Sequence, residues 1–291
     1  MKKRTLYLEP AGGFGNRIDC LMSGIYEAKK RNMKLTVLWV LDQGCNAKLY
    51  DLIKPIEDVK VINLDQLGYR RVKGIYALAL TICLRILKKI SVFFDDIYIR
   101  KEYLLNGNAT AFDEAMSNRQ RVYVRTSAFW IPWRDLQSIK KMICPITKIE
   151  KTVCENLKPY QDKNIIGIHI RRTDHVYTIQ HSPDELFEKE MDRMCKNNSN
   201  CVFFLATDDK DVEEKFRKKY NIIPRHCFSK EVLRSTKNGM LDACVDLWTL
   251  SRCKEVWNCC GSTFSRLAAF IGDIPLYQLS TDFEEAKLWK Y

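Results

Sequence analysis

The sequence predicts an α/β protein made of two alternating strand and helix units that face each other across a cleft. Three observations carry that expectation. A chain of 291 residues exceeds one average domain and suits about two. Apolar runs of strand length alternate with runs of helical apolar spacing in both halves, the order that builds open parallel sheets. Several of the apolar runs also end in polar clusters, and in open α/β sheets ligands sit beyond the carboxyl ends of the strands.

In the first half, Thr5 to Leu8 reads as a strand and A-G-G-F-G-N as a turn. Arg17 to Arg31 reads as a helix with apolar positions at Ile18, Leu21, Met22, Ile25 and Ala28. Leu35 to Leu41, L-T-V-L-W-V-L, completes a strand, helix, strand unit. Lys60 to Leu64 and Val122 to Thr126 are further strands, and Leu136 to Asn156 reads as a helix despite Pro145. The second half begins near Tyr160 to Lys163, giving domains of residues 1–160 and 161–291. Asn164 to Ile170 is a strand, and Asp184 to Lys196 a helix with Ser182 as its cap and Pro183 at its first position. Cys201 to Ala206 is a strand, Asp211 to Tyr220 a charged helix and Met240 to Ser251 an amphipathic one. Glu255 to Cys259 is a short strand, Ser262 to Ile271 a helix, and Pro275 to Leu279 a final strand.

Apolar residues at 46% and charged residues at 29% exclude a disordered or fibrous chain. Lysine and arginine total 48 against 36 acidic residues, and the net charge of +12 favours anionic partners: nucleic acid, anionic lipid or phosphorylated small molecules. The twelve cysteines are scattered through apolar contexts such as Cys20, Cys83, Cys144, Cys244, Cys259 and Cys260, which reads as mostly buried thiols in a reducing, cytoplasmic compartment. Their spacing offers no metal site. The amino terminus is too short in apolar residues for a signal peptide. Nothing reaches the roughly 18 apolar residues of a membrane span. Ile75 to Leu84, followed by a basic end, reads first as a core helix, with a peripheral contact at the inner membrane face kept open.

Four clusters carry candidate chemistry. G-G-F-G-N-R (Gly12 to Arg17) follows a strand and opens a helix, so its backbone N–H groups suit an anion, but it lacks the third glycine of a dinucleotide fingerprint and alone reads as a tight turn. H-I-R-R-T-D places Arg171 and Arg172 at a strand end, where adjacent guanidiniums repel unless anions compensate, and diphosphate oxygens suit their forks. Strand neighbours point to opposite faces, so one arginine is expected to be structural and the other a ligand. Arg171 is taken as the ligand because it shares a face with His169. A-T-D-D puts Asp208 and Asp209 at another strand end, where helix capping is the plain alternative. Finally, Asp246 precedes G-S-T-F-S, whose Ser262 and Thr263 at a helix start suit a phosphate or an ordinary cap.

Taken in order, G-G-F-G-N-R, H-I-R-R-T-D, L-A-T-D-D and Asp246 ahead of G-S-T-F-S resemble the GT-B fold fucosyltransferases. The resemblance is to the group of alpha-1,6-fucosyltransferases and nodulation fucosyltransferases, with alpha-1,2- and protein O-fucosyltransferases more distant. It covers the carboxyl half well and the first half only at its opening loop. It implies two Rossmann-like domains, residues 1–160 on the acceptor side and 161–291 binding GDP-fucose, with no cofactor and no metal. It further implies that Arg171 contacts the diphosphate, that the backbone of His169 lies near guanine, and that Asp246 pairs with guanine N–H groups. Ser262 and Thr263 would bind phosphate, Asp208 and Asp209 would line the cleft, and Gly13, Asn16 and Arg17 would close over the donor. The reaction implied is inverting transfer of fucose to a glycan hydroxyl, such as one in polysaccharide biosynthesis, the acceptor being lipid-linked or not.

In that reaction a fixed arginine and a helix amino terminus stabilise the charge that builds on the leaving diphosphate, and a carboxylate or histidine takes the acceptor proton. The chain departs from the alpha-1,6 pattern after R-R-T-D, where a lysine and then a glutamate are expected and His175 and Ile179 stand instead. The base is therefore open among Asp174, His175, His181 and Glu185, with Asp174 the choice made here. A transferase using another nucleotide sugar, such as GDP-mannose, is the first rival. A basic nucleic-acid-binding α/β protein ranks below it, because the lysines are dispersed along helices and not interleaved with aromatics.

Overall fold

The structure, a computed structural model, describes residues 3–65, 94–99, 109–127, 130–173, 175–198, 200–229 and 234–289. The apolar run from Ile75 to Leu84 lies outside the described residues. The chain divides into two compact units, Met1–Cys144 with Arg234–Met240, and Pro145–Leu233 with Leu241–Tyr291. No helix among the described residues is long and apolar enough to cross a membrane.

The first unit holds β1 (Thr5–Pro10), α1 (Phe14–Lys30), β2 (Lys34–Leu41), β3 (Val59–Asp65), β4 (Asp96–Ile99), α2 (Ala109–Asn118) and β5 (Arg121–Thr126). Its strands are parallel in the order β3-β2-β1-β5-β4. The chain runs from β1 to one side and returns to the other, so β1 and β5 flank the point at which strand order reverses. Helix α1 lies close on the sheet because Gly24 has no side chain: a Cβ there would fall 2.5 Å from Leu8 Cδ2. Phe94 packs between Tyr7 and Tyr123 at ring separations of 5.1 and 5.2 Å, closing a second apolar cluster with Leu38 and Leu64.

The helix expected over Leu136 to Asn156 is broken. A short helix ends at Lys140, and the next, α3 (Thr147–Leu157), starts only after Pro145. Proline has no N–H and biases the preceding residue away from helical geometry. The Cys144 carbonyl accepts instead from Lys54 N at 2.8 Å.

The second unit contains α3, β6 (Asn164–Ile170), α4 (Val176–His181), α5 (Asp184–Asn197), β7 (Cys201–Thr207), α6 (Lys210–Lys219), residues 241–250 of α7 (Lys237–Leu250), β8 (Glu255–Cys259), α8 (Thr263–Gly272), β9 (Leu276–Leu279) and β10 (Lys287–Trp289). Sheet order is β10-β9-β8-β6-β7, parallel except that β10 runs antiparallel to β9. Every residue of β7 is buried, as a strand covered on both faces requires. Ile166, Ile168, Phe187, Phe203, Leu205 and Phe216 form the centre of the core.

Two sequence expectations change here. Pro275 to Leu279 is followed by β10, so it is not the final strand. Ser182 does not cap α5, whose cap position is Pro183. Its hydroxyl donates to Leu279 O at 2.6 Å and accepts from Cys260 N at 2.9 Å, tying the α4 to α5 junction to the ends of β8 and β9.

Backbone approaches backbone closely at the end of α8, where a Cβ on Gly272 would fall 2.0 Å from the Ser251 carbonyl oxygen. Gly272→Ala is expected to cost about 1–3 kcal/mol through forced backbone movement, read as a lower unfolding midpoint in urea with an unchanged far-ultraviolet spectrum.

Candidate functional site

In the second sheet the chain passes from β6 out to β7 and returns beside β6 as β8, so the strand order reverses between β6 and β8. Loops at the carboxyl ends of two such strands diverge and leave a crevice, the usual ligand position in this architecture. The H-I-R-R-T segment leaves β6 at that point and G-S-T-F-S leaves β8.

The two arginines do different work. Arg172 turns inward, its side chain only 10% exposed. Its Nε and Nη2 reach Asp184 Oδ1 at 3.0 and 2.5 Å, and the remaining contacts go to Arg171 O and Ser182 O, each at 2.9 Å. Lys215 supports the same carboxylate at 3.2 Å. Asp208 accepts from Arg172 N at 2.7 Å and from Thr173 Oγ1 at 2.6 Å, so this carboxylate pins the strand end. Asp209 accepts from Asp211 N and Val212 N at 2.9 and 3.0 Å as the N-cap of α6. Arg171 is half-buried and directly follows β6.

His169 pairs in register with Asn258 of β8, and both are buried. Ser265 Oγ joins them, 3.1 Å from His169 Nδ1 and 2.9 Å from Asn258 Nδ2. The His169 ring leans on Phe264 at 5.3 Å. Gly261, at φ +74°, makes the turn into α8, which begins at Thr263. Ser262 holds the cap position with no capping bond from its side chain, and its buried Oγ and Asn258 Oδ1 have no hydrogen-bond partner among the described residues. A helix start with an uncommitted hydroxyl at its cap position suits an anion, because the helix dipole favours negative charge there.

Asp246 lies on α7, nearly fully buried. Its Oδ2 meets Arg225 Nη1 at 2.8 Å, and its Oδ1 has no partner among the described residues. Burial pushes its carboxyl up to about 7, against the opposing charge of Arg225. One turn back, Asp242 accepts from Phe228 N, Ser229 N and Ser229 Oγ, fixing the loop that carries Arg225.

The first unit has a glycine loop of its own between β1 and α1. Gly12 takes φ +83°, and a Cβ on Gly13 would lie 3.7 Å from Arg234 Nη1. Asn16 is half-buried in the first turn of α1. Arg17 is fully buried beneath the loop: Nε donates to Gly12 O at 2.7 Å, Nη1 to Val40 O, and Nη2 to Asp42 Oδ2 at 2.6 Å. The guanidinium also sits 5.3 Å over Trp39. These contacts shape the loop from below.

His169, Arg171, Ser262 and Thr263 thus gather at the crevice of the second sheet, with Asp208 bracing it. Asp246 stands in a separate buried pair on α7, and Gly13, Asn16 and Arg17 belong to the first unit. Asp174 lies outside the described residues. Arg225 escaped the sequence reading, and Asn258 and Ser265 stood in it only as unassigned members of E-V-W-N-C and G-S-T-F-S. Among the described residues, no three His, Cys, Asp or Glu side chains group closely enough to share a metal ion.

These roles separate by stability. Arg172→Met leaves the Asp184 carboxylate with Lys215 alone and removes the bonds to Arg171 O and Ser182 O, and it is expected to cost roughly 2–3 kcal/mol. Asp209→Ala, which removes one helix cap, is expected to cost about 1 kcal/mol. Chemical unfolding of the two variants beside wild type checks the order.

No protein-family model and no curated protein matches the sequence. Solved structures do match. NodZ alpha-1,6-fucosyltransferase, from a crystal soaked with GDP-fucose, is 17% identical over 99% of each chain at a TM-score of 0.64. A mutant of Arabidopsis thaliana FUT1 in complex with GDP is 13% identical over 95% of this chain and 70% of its own, at 0.61. POFUT1 in its apo form is 12% identical over 96% of this chain and 98% of its own, at 0.58. At these identities the likeness is one of fold, and the chain has the GT-B fold of these fucosyltransferases.

Proposed function

We propose that the chain is an inverting, metal-independent glycosyltransferase that moves fucose from GDP-fucose to a glycan hydroxyl. The observation that carries the reading is the crevice between β6 and β8, where Arg171 leaves one strand and the uncommitted Ser262 hydroxyl opens a helix beyond the other. A cation and a helix amino terminus converging there suit a diphosphate leaving group, whose charge grows as the bond to the sugar breaks. NodZ soaked with GDP-fucose, POFUT1 in complex with GDP-fucose and Arabidopsis FUT1 in complex with GDP share the fold, which supports the same donor here.

In this reading the second unit, Pro145–Leu233 with Leu241–Tyr291, carries the donor, in place of the residues 161–291 expected from the sequence. Arg171, Ser262 and Thr263 hold the diphosphate, His169 shapes the floor through Ser265 and Asn258, and Asp246 accepts from the guanine N–H groups. Asp208 acts by fixing the strand end. The net charge of +12 then serves an anionic donor, and it also suits a protein working at the cytoplasmic face of an anionic membrane.

Calorimetric titration with GDP-fucose, chelator present, tests the reading. Arg171→Ala is expected to weaken binding by roughly 10- to 100-fold, the worth of one or two charge-assisted hydrogen bonds. Equal binding by wild type and variant contradicts the assignment.

Asp246 adds a pH dependence. Its raised carboxyl must be ionised to accept from guanine, so GDP affinity is present above about pH 7 and is lost as pH falls. The loss approaches roughly tenfold per pH unit below that value. Asp246→Asn is expected to bind more weakly at pH 8 and to abolish the dependence.

A further inference from the structure

Transfer to a hydroxyl leaves one proton to remove, and the crevice between β6 and β8 offers a cation and hydrogen-bond donors. Among the described candidates for the base, His175 is engaged as the cap of α4, its Nδ1 accepting from Thr178 N at 3.2 Å. Glu185 is exposed on the first turn of α5. His181, at the other end of α4, is differently placed. Its Nδ1 lies 2.9 Å from Asp282 Oδ1. Asp282 is itself fixed, its Oδ2 accepting from Tyr177 Oη at 3.0 Å and from Ser280 Oγ at 3.2 Å. The Tyr177 ring stacks on the His181 ring at 4.2 Å with planes 26° apart.

The helix that carries this group borders the crevice. Thr178 Oγ1 donates to Cys260 O at 2.8 Å, and a Cβ on Gly261 would lie 3.5 Å from His175 Cε1, so the start of α4 rests on the turn into α8. Thr281 N donates to His181 O at 2.7 Å, holding the end of α4 beside the end of β9. Six helical residues span only ~9 Å. On the same short helix Val176 is 68% exposed and Tyr177 51%, an apolar and aromatic surface next to a half-exposed imidazole. Aromatic faces of this kind suit the C–H faces of sugars while leaving hydroxyls to polar neighbours.

We propose that His181, oriented by Asp282, is the general base that takes the acceptor proton, and that Val176 and Tyr177 form the surface on which the acceptor sugar rests. This rests on the fucosyl-transfer reading above. With Nδ1–H donated to Asp282, Nε2 carries the lone pair. In the step the acceptor oxygen bonds to the anomeric carbon and its proton passes to His181 Nε2. The bond from that carbon to the diphosphate oxygen breaks, and its electron pair leaves with GDP. The imidazolium so formed is balanced by the Asp282 carboxylate and returns its proton to solvent. The His181 ring meets Tyr177, from α4 itself, and Asp282, from the loop after β9.

The test uses molar methanol as the hydroxyl probe, and reads methyl fucoside and GDP released from GDP-fucose at pH 8, with GDP affinity measured in parallel. At saturating GDP-fucose, His181→Gln is expected to lower turnover roughly 100-fold, the usual worth of a positioned base, and to keep GDP affinity within about twofold. Asp282→Asn is expected to lower turnover with the KM for GDP-fucose unchanged, and Asp282→Glu, which keeps the carboxylate, to recover part of it, an effect that a merely structural role would not produce. Turnover of His181→Gln equal to wild type, or a parallel loss of GDP affinity, overturns the proposal. Wild type that binds no GDP overturns the transferase reading, whereas wild type that binds GDP with turnover indifferent to both substitutions overturns only the dyad.

Discussion

One guanidinium organises the second unit. Two arginines in succession repel, and the chain resolves the conflict by sinking Arg172 into contact with Asp184, which Lys215 also supports. The same side chain bonds Arg171 O and Ser182 O, and its own N–H is taken by Asp208. The end of β6, the start of α5 and the junction before it are therefore held by one residue. Ser182 passes the constraint on, through Leu279 O and Cys260 N, to the ends of β8 and β9. Arg171 follows the strand with its carbonyl fixed by that anchor.

The site around that anchor is built from groups that fold at some expense. A buried polar atom without a partner costs roughly 1–3 kcal/mol. Ser262 Oγ, Asn258 Oδ1 and Asp246 Oδ1 all stand in that condition within the second unit. By contrast, the polar atoms that hold the scaffold, such as Asp208, Asp242 and the capping Asp209, are satisfied by backbone N–H groups. In the proposed donor site the first set is what a ligand would relieve, and the second keeps those atoms in place before it arrives. The burial that raises the Asp246 carboxyl belongs to the same trade, since an acid poised near neutrality can be switched by a neighbouring donor.

Much of this was legible in the sequence because strand periodicity and helix starts are local. Ile165 to Ile170 reads as a buried strand, and two arginines at its end already demand that one be neutralised, which Arg172 is. G-S-T-F-S reads as a helix opening, and α8 begins at Thr263. What stayed hidden depends on distant pairings. Ser182 looks like a helix cap until the carbonyl of Leu279, almost a hundred residues away, is seen to claim it. Arg17 looks like a loop cation until its contacts with Gly12, Val40 and Asp42 are traced. Helix α4 carries no apolar period long enough to read, and its His181 meets Asp282 from the far end of the chain. The break at Pro145 was in the sequence, and the apolar spacing on either side of it outweighed it.

A titration of the whole protein with GDP, UDP and ADP, with chelator present throughout, is the most direct test of the account. Binding of GDP at least tenfold tighter than UDP or ADP, unchanged by the chelator, is the predicted result. Equal affinity for the three nucleotides, or GDP binding that vanishes when divalent ions are removed, would contradict it.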